Sequence, residues 1–295
     1  MSKKYNVLWI DDEHESIKAM HKTAIDFDIT LFPFKSMNGG CTEFQNNTSK
    51  YDAILFDAKF FENETDEPGS EDTKWVHKAK DWIKEVDKTI SFFVLTGQAE
   101  AYNSREFKNA FPYVFNKGVE EDEENLFKLL VEASANREIT QLRHNYIEAF
   151  RAFEIGIVSR KYELLLINVI QAYNKKDFRK VNITIQRDLL EGIYMSLNKE
   201  IPCIPDALFN DKGLPIQEHC TKYMEDRNVD GQKLNKEVPQ VIKSAFRKLK
   251  ESTNEYSHLS DETIVKIPFL ANTFLLMEIL EWLPGFAQTH YNNYI

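Results

Sequence analysis

The sequence has few of the features that mark a secreted or membrane-bound chain. Its 295 residues contain three cysteines, Cys41, Cys203 and Cys220, an odd number without the spacing of a disulfide framework or a metal site. No apolar run approaches the ~18 consecutive residues that a membrane span needs, and the run that ends at Ile10 is too short for a signal peptide. These absences predict a cytoplasmic protein that does not associate with a membrane.

Glycine is also scarce, and positive charge is scarce in one half of the chain. The ten glycines form no Gly-rich loop of the kind that cradles phosphates. The net charge is −10, and all of it lies in residues 1–139, which carry 17 Lys and Arg against 27 Asp and Glu, whereas residues 140–295 carry 20 of each. An acidic surface repels nucleic-acid phosphates. Nucleic-acid binding is therefore possible but not favoured, and the asymmetry predicts two units with different roles.

The first ~120 residues alternate apolar runs with helical patterns. The apolar runs are YNVLWI, DITLFPF, YDAILFD, ISFFVLTG and YVFNKG. Continuous apolar runs of this length are typical of strands buried on both faces, and Pro33 in the second run favours a peripheral position for that strand. The alternation predicts an α/β fold, a parallel sheet with helices on both faces.

From about residue 119 onward the pattern is helical, which predicts an all-α second domain. We place a first domain at 1–138, a connecting helix at 139–155 and an all-helical domain at 156–295. Apolar residues recur at three- and four-residue spacing along the connecting helix, at Ile139, Leu142, Tyr146, Ala149 and Phe153. Such a stripe is typical either of a helix packed on its own domain or of one that dimerises or transmits a signal.

Polar residues end the predicted strands of the first domain. They are Asp11 and Asp12 after the first strand, Asp57 after the third, Thr96 after the fourth and Lys117 after the fifth. The carboxyl ends of parallel strands meet at one edge of a sheet, so these residues are expected to converge. Carboxylates suit a hard divalent cation such as Mg²⁺, and an aspartate can also accept a phosphoryl group. A lysine and a hydroxyl can bind phosphoryl oxygens.

These strand ends resemble a known family. The motifs LWIDDE, AILFDAK, FFVLTG and VFNKG are similar to the four signature strand ends of two-component response-regulator receiver domains. The resemblance covers residues 5 to about 135 and implies a flavodoxin-like five-stranded sheet of order 2-1-3-4-5. It implies that Asp57 is the phosphoacceptor and that Asp11, Asp12 and the carbonyl of Lys59 join Asp57 in holding Mg²⁺.

The same resemblance assigns the remaining site residues and the partners. Thr96 matches the switch hydroxyl and Lys117 the phosphate-pairing lysine. The implied partner is a sensor histidine kinase or a phosphotransfer protein, and we expect a homodimer. The second domain would then be the output, acting through protein contacts or dimerisation.

The sequence departs from the family pattern in three places. Asp57 and Thr96 are 39 residues apart, more than the family usually has, and the excess lies in the acidic stretch 58–72, which we expect to be a solvated loop. Val114 stands where the family usually has an aromatic residue. Gly118 follows the lysine where the family commonly has proline. These departures leave open a degenerate receiver that acts only as an interaction module.

The second half weakly resembles HEPN-type helical domains. Active members carry Arg, a polar residue, three further residues and His. Asn254 and His258 match the last elements, but Thr253 stands in place of the Arg. The resemblance implies a second hypothesis, a phosphorylation-regulated ribonuclease or RNA-binding protein, in which Arg247 or Lys250 substitutes for the missing cation.

Overall fold

The computed structural model divides the chain into two compact units, residues 1–144 and 145–295. It describes residues 3–14, 18–97 and 105–295. The first unit contains all five strands, and the second is helical. The division lies further along the chain than the change of pattern near residue 119, because the first unit includes helical segments that follow the last strand. The domain bounds 1–138, 139–155 and 156–295 stay predictions.

The first unit is built on five parallel strands. Their order in the sheet is β2-β1-β3-β4-β5, which is the order predicted from the receiver resemblance. The strands are β1 (Tyr5–Ile10), β2 (Ile29–Phe34), β3 (Ala53–Phe56), β4 (Ser91–Thr96) and β5 (Val114–Asn116). Pro33 lies in β2, which pairs only with β1 within the described residues, so its missing N–H faces the open side of an edge strand.

Helices cover both faces of the sheet, as the sequence predicts. They are α1 (Lys18–Asp26), α2 (Met37–Asn46), α3 (Thr73–Val86), α4 (Arg105–Ala110) and α5 (Glu120–Asn136). Successive side chains of a strand point to opposite faces, so Leu8 and Ile10 join a core with α2 and α3, whereas Val7 and Trp9 join a core with α1 and α5. This alternation explains why the strands read as continuous apolar runs.

The register of the strands brings their ends to one edge. Ile10 lies opposite Phe56, so Asp11 and Asp57, the next residues, leave the sheet side by side. The Asp57 N–H donates to the Ile10 carbonyl at 2.8 Å, and the Lys117 N–H donates to the Thr96 carbonyl at 3.0 Å. The backbone ladder therefore fixes the relative positions of the polar residues that follow it.

The connecting helix predicted at 139–155 is not continuous. Helix α6 (Glu138–Asn145) and helix α7 (Ile147–Glu154) are separated by Tyr146, whose φ of −122° and ψ of 35° are not helical. Leu142 is buried in the first unit, and α7 packs against helix α12 (Lys266–His290) in the second. The stripe is thus divided between two units, each of which packs its own part, and dimerisation through it stays a prediction.

The second unit is helical, as predicted. Besides α7 and α12 it contains α8 (Glu163–Lys175), α9 (Val181–Lys199), α10 (Gln217–Met224) and α11 (Gln240–Glu255). Helix α12 is 25 residues long and apolar enough, by length and composition, to cross a membrane, but half of its most apolar window is buried inside the protein. A core helix has the same properties, and α12 packs against α7, α9 and α11.

Candidate functional site

Three carboxylates meet at the carboxyl edge of the sheet. One oxygen from each of Asp11, Asp12 and Asp57 lies within 4.8 Å of the others. Asp11 is fully buried, whereas Asp12 and Asp57 are partly exposed. The Asp11 carboxylate is oriented from within its own turn, since its Oδ1 accepts the Glu13 N–H at 2.9 Å. The structure therefore brings together the three acids that the sequence places at two separate strand ends.

Lys117 lies against two of these acids. Its Nζ is 2.8 Å from Asp11 Oδ2 and 2.6 Å from Asp57 Oδ2. Its side chain is 16% exposed, so the ammonium group is held in a partly desolvated position. The other oxygen of Asp57, Oδ1, accepts the Ala58 N–H at 2.5 Å. One lysine thus pairs with two of the three carboxylates, and the group retains an excess of negative charge.

The turn after β5 positions Lys117. Gly118 has a φ of +76°, a left-handed conformation that glycine adopts without a steric penalty. Its N–H donates to Glu123 Oε1 at 2.8 Å. Asn116 donates to Asp122 Oδ2 from its backbone N–H at 2.8 Å and from its side-chain amide at 2.6 Å. Acids in the first turn of α5 suit a helix N-terminus, and here two of them also fasten the strand end that carries the lysine.

Burial and mutual repulsion shift the pKa values of the site. Burial raises the pKa of Asp12 to about 6, and the carboxylates of Asp11, Asp57 and Glu71 contribute in the same direction. Burial also raises the pKa of Asp57, although Lys117 opposes this. Burial alone would lower the pKa of Lys117, but Asp11 and Asp57 outweigh it, so that pKa is raised. A group of acids with raised pKa values favours binding of a cation or a proton.

An open pocket of about 310 Å³ lies over these groups. Thr96, which is 4% exposed, and Lys59 both contribute to the lining. The lining residues are Asp12, Glu13, Asp57, Lys59, Glu71, Thr96, Gly97 and Lys117. Of the site residues that the sequence analysis assigned to the first domain, all but Asp11 line this pocket, and an oxygen of Asp11 lies within 4.8 Å of oxygens of Asp12 and Asp57. The hydroxyl role of Thr96 and the carbonyl role of Lys59 stay predictions.

The acidic stretch 58–72 is packed as well as solvated, which corrects the expectation of a solvated loop. Phe60 and Phe61 are buried, because the aromatic pair continues the apolar core beyond β3. The Phe61 carbonyl accepts the Met37 N–H at 2.9 Å, and Ser36 Oγ donates to Glu64 Oε1 at 2.8 Å. These contacts fasten the stretch to the start of α2, and Glu71 is the acid of the stretch that lines the pocket. The sequence showed the acids but not this docking.

The remaining departures from the family pattern have local explanations. Val114 packs against the core on the α2 and α3 face of the sheet, and the neighbouring Tyr113, which is 44% exposed, stacks on Phe93 with ring centroids 5.2 Å apart. An aromatic side chain is thus present beside the position where the family usually has one. Gly118 replaces the usual proline in a left-handed turn that proline cannot adopt.

A second charged cluster lies at the opposite, amino edge of the sheet. Asp52 is 1% exposed and accepts the Asn6 N–H at 2.7 Å. It also bonds to Arg143 and to the Thr140 hydroxyl, both from α6. Arg137 pairs with Asp87 and donates to the backbone of the same edge. These residues attach α6 to the first unit.

In the second unit, Asn254 and His258 lie at the end of α11 and in the short 3₁₀ turn that follows it. Both are exposed. Thr253, at the position where the HEPN pattern has arginine, is 1% exposed, and its hydroxyl donates to the Leu249 carbonyl at 2.8 Å. That position therefore faces the helical core, away from any surface that His258 could share.

The two cations that could substitute for the missing arginine have partners of their own. Arg247 lies 3.4 Å from Glu225 Oε1, and Lys250 pairs with Glu218. Both acids lie at or next to α10, so the pairs join α10 to α11. The ribonuclease hypothesis stays a prediction that these contacts do not favour.

Comparisons with known proteins found similar chains among solved structures. No model of a known family matches the sequence, and no curated protein matches it. The chain is similar to a response regulator receiver domain protein from Clostridium thermocellum, with 18% identity, covering 45% of this chain and 96% of that one at a TM-score of 0.34. It is similar to the non-phosphorylated HemR receiver domain from Leptospira biflexa, with 15% identity, covering 45% and 98% at a TM-score of 0.34.

The chain is also similar to a solved structure of adenylate cyclase from Rhodopirellula baltica. Its identity to this chain is 15%, covering 49% of this chain and 98% of that one, with a TM-score of 0.34.

Residues 1–144 have a receiver-type fold, as the strand order and the helices on both faces of the sheet show.

Proposed function

We propose that the protein is a response-regulator-like signalling protein in which Asp57 accepts a phosphoryl group in a Mg²⁺-dependent reaction. The observation that supports this most directly is the cluster of Asp11, Asp12 and Asp57 under an open pocket, with Lys117 paired to two of them. Strand caps that merely face water have no need of a shared lysine or a common pocket. The helical second unit would be the output.

The residues present fit a divalent cation. Asp11, Asp12 and Asp57 offer hard oxygen donors close together, the donor type that Mg²⁺ prefers. With all three acids ionised and Lys117 protonated, the group has a charge of −2, which one Mg²⁺ balances. The carbonyl of Lys59, a residue that lines the pocket, would complete the protein ligands. When bound, the cation neutralises charge on the phosphoryl oxygens.

The chain's own residues would carry the transfer. An oxygen of Asp57 attacks the donor phosphorus and forms a new O–P bond, while the bond between phosphorus and the donor's leaving atom breaks and its electron pair leaves with the donor. Lys117, already 2.6 Å from Asp57 Oδ2, would shift to a phosphoryl oxygen. Thr96, in the pocket lining, would donate its hydroxyl to another.

The implied partners follow from this chemistry. A sensor histidine kinase or a phosphotransfer protein would supply the phosphoryl group to Asp57. Phosphorylation would shift the equilibrium between two conformations of the first unit, and the second unit would report that shift through protein contacts or homodimerisation. The amount of transfer at Asp57 is what separates this proposal from a degenerate receiver.

The test is labelling of the full chain with acetyl phosphate and Mg²⁺, read by intact-protein mass spectrometry. We expect one phosphoryl group on the wild type, none on Asp57→Asn, and wild-type labelling on Asp81→Asn, which removes an exposed acid of α3. Equal labelling of Asp57→Asn and wild type would show that the phosphoacceptor assignment is wrong. No labelling of the wild type would favour the interaction module.

A further inference from the structure

The acidic stretch 58–72 contributes one carboxylate to the pocket that the receiver motifs do not include. Glu71 lines the pocket together with Asp12, Asp57 and Lys59. It also lines the adjoining pocket of about 710 Å³ that contains Asp12, Glu13 and Glu64. Glu71 therefore lies at the junction of the two open spaces beside the acidic pair. Glu71 belongs to the extra length between Asp57 and Thr96.

The position of Glu71 is fixed by its surroundings. Its two carboxylate oxygens accept the Gly69 N–H at 2.9 and 3.0 Å. The next residue, Asp72, caps α3 by accepting the Lys74 N–H at 2.8 Å, and the Asp72 N–H donates to the Phe60 carbonyl at 3.3 Å. Because Phe60 belongs to the buried core, the backbone on the C-terminal side of Glu71 is tied to the first unit rather than left in a mobile loop.

The charge of Glu71 is maintained in this position. The N–H of Gly69 is the main cause that lowers the pKa of Glu71, and Lys59 contributes. Glu71 in turn adds to the negative field at Asp12. The stretch thus places a negative charge beside the acidic pair, and this charge also interacts with the positive charge of Lys59.

We propose that Glu71 is an additional acidic group of the cation site, which strengthens divalent-cation binding by its charge while Asp11, Asp12 and Asp57 supply the ligating oxygens. This proposal rests on the proposed Mg²⁺ site and adds a residue to it. The attraction between a divalent cation and a carboxylate several ångströms away, through water, corresponds to an affinity gain of about threefold to tenfold. Glu71 therefore affects how tightly the ion binds and takes no part in the phosphoryl transfer.

The test compares charge-neutralising variants of the full chain in direct Mg²⁺ titrations by isothermal calorimetry. Glu71→Gln is expected to weaken Mg²⁺ binding by about threefold to tenfold. Glu67→Gln is the matched control, because Glu67 is an exposed acid of the same stretch and lies outside the residues that line the pocket. It is expected to change the affinity by less than about twofold. Asp12→Asn is expected to abolish measurable binding.

The outcomes separate the two proposals. If Asp12→Asn weakens binding but Glu71→Gln matches Glu67→Gln, the role of Glu71 is wrong and the Mg²⁺ site survives. If Asp12→Asn binds Mg²⁺ as well as wild type, the Mg²⁺ site itself is wrong. Unfolding midpoints measured in EDTA show whether each variant is folded, and a folded Glu71→Gln that binds Mg²⁺ more tightly than wild type also overturns the role.

Salt dependence tests the mechanism. Raising the ionic strength from about 0.15 M to about 1 M shortens the Debye length from about 8 Å to about 3 Å. The affinity ratio between wild type and Glu71→Gln should then approach one. A ratio that stays unchanged at high salt would mean that Glu71 ligates the ion directly, which contradicts an effect through charge alone.

Discussion

The two edges of the same sheet hold clustered carboxylates in opposite settings. At the carboxyl edge, Asp11, Asp12 and Asp57 cluster beside an open pocket, and one lysine pairs with Asp11 and Asp57. At the amino edge, two acids pair with two arginines. The members of that closed cluster are Asp52, Asp87, Arg137 and Arg143. One edge has an excess of negative charge and access to solvent, and the other is neutral and sealed.

The difference shows how a functional site can be told from a structural one by charge balance. Arginine at the sealed edge provides several fixed donors and stays charged, which suits pairs whose function is to hold α6 in place. Lysine at the open edge is a point charge on a flexible stem, and it leaves two negative charges for a cation to balance. The same residue type, aspartate, therefore has a stabilising role at one edge and a binding role at the other.

The largest expected effect is loss of stability at the amino edge. Arg143→Met leaves Asp52 buried, at 0% side-chain exposure, without its cation, and removing one partner of a buried pair typically costs about 3–5 kcal/mol. The measurement is urea unfolding followed by tryptophan fluorescence, since Trp9, Trp75 and Trp82 all lie in the first unit.

The control for that experiment is Lys88→Met, which removes an exposed cation and is expected to change the free energy of unfolding by less than about 0.5 kcal/mol. If Arg143→Met unfolds like Lys88→Met, the amino-edge cluster is not structural. The amino edge would then have no stabilising role that distinguishes it from the carboxyl edge.

Mg²⁺ should stabilise the protein through the carboxyl edge only. A ligand at one hundred times its dissociation constant adds about 2.7 kcal/mol to the free energy of unfolding. We therefore expect the unfolding midpoint of wild type and of Asp87→Asn to rise when saturating Mg²⁺ replaces EDTA. The Asp12→Asn midpoint should not move, and a Mg²⁺ shift that survives in Asp12→Asn would locate the ion elsewhere.

The two edges should also respond to pH with opposite signs. In the absence of divalent ions Asp12 keeps its proton up to about pH 6 in the folded state, whereas the unfolded chain releases it near its ordinary value of about 3.9. The folded state binds more protons between these values, so this contribution to stability is present below the lower one and is lost as pH rises through about 6. Because Asp12 is partly exposed, screening reduces the effect to about 1 kcal/mol.

Asp87 should behave in the reverse way. Burial alone would raise its pKa, but Arg137 and Thr89 outweigh burial and lower it. Its contribution to stability is therefore present above the unfolded value and is lost as pH falls through the folded one. The measurement is the free energy of unfolding in EDTA from pH 3 to 7. The contribution of Asp12 should make the wild-type value decline between pH 4 and 6, and this decline should be absent in Asp12→Asn. An unchanged decline in that variant would show that Asp12 is not the titrating group.

Sequence reasoning reached one edge and missed the other for a physical reason. The carboxyl-edge residues follow apolar runs directly, and parallel strands bring their ends together, so Asp11, Asp57 and Lys117 could be placed from pattern alone. Asp52, at the start of the third run, reads as an ordinary polar residue. Its partner Arg143 lies 91 residues away, beyond the domain end predicted at 138, and no periodicity connects the two.

The fold could be predicted because its elements repeat a pattern in the sequence, whereas the packing of the loop 58–72 leaves no such pattern. Buried strands and amphipathic helices leave a repeating pattern, which predicted the parallel sheet covered by helices. The receiver resemblance supplied the strand order, which the structure confirms. The docking of 58–72 on α2 depends on single hydrogen bonds such as Ser36 to Glu64, which no local pattern reports. The role proposed for Glu71 could be inferred only from the pocket that it lines.

The smallest expected effect concerns the turn that positions the site lysine. Gly118→Ala puts a Cβ on a residue with a φ of +76°, and although the space around that Cβ is open, the left-handed conformation costs about 1 kcal/mol for alanine. Relief of this strain would shift the turn and with it Lys117, so the free energy of unfolding and the rate of Asp57 labelling should both fall. Gly118→Asn is the matched control, because asparagine tolerates this conformation, and it should keep both close to wild type. If alanine and asparagine behave alike, the conformation of this turn does not set the position of Lys117, and the open edge is held by the β-ladder alone.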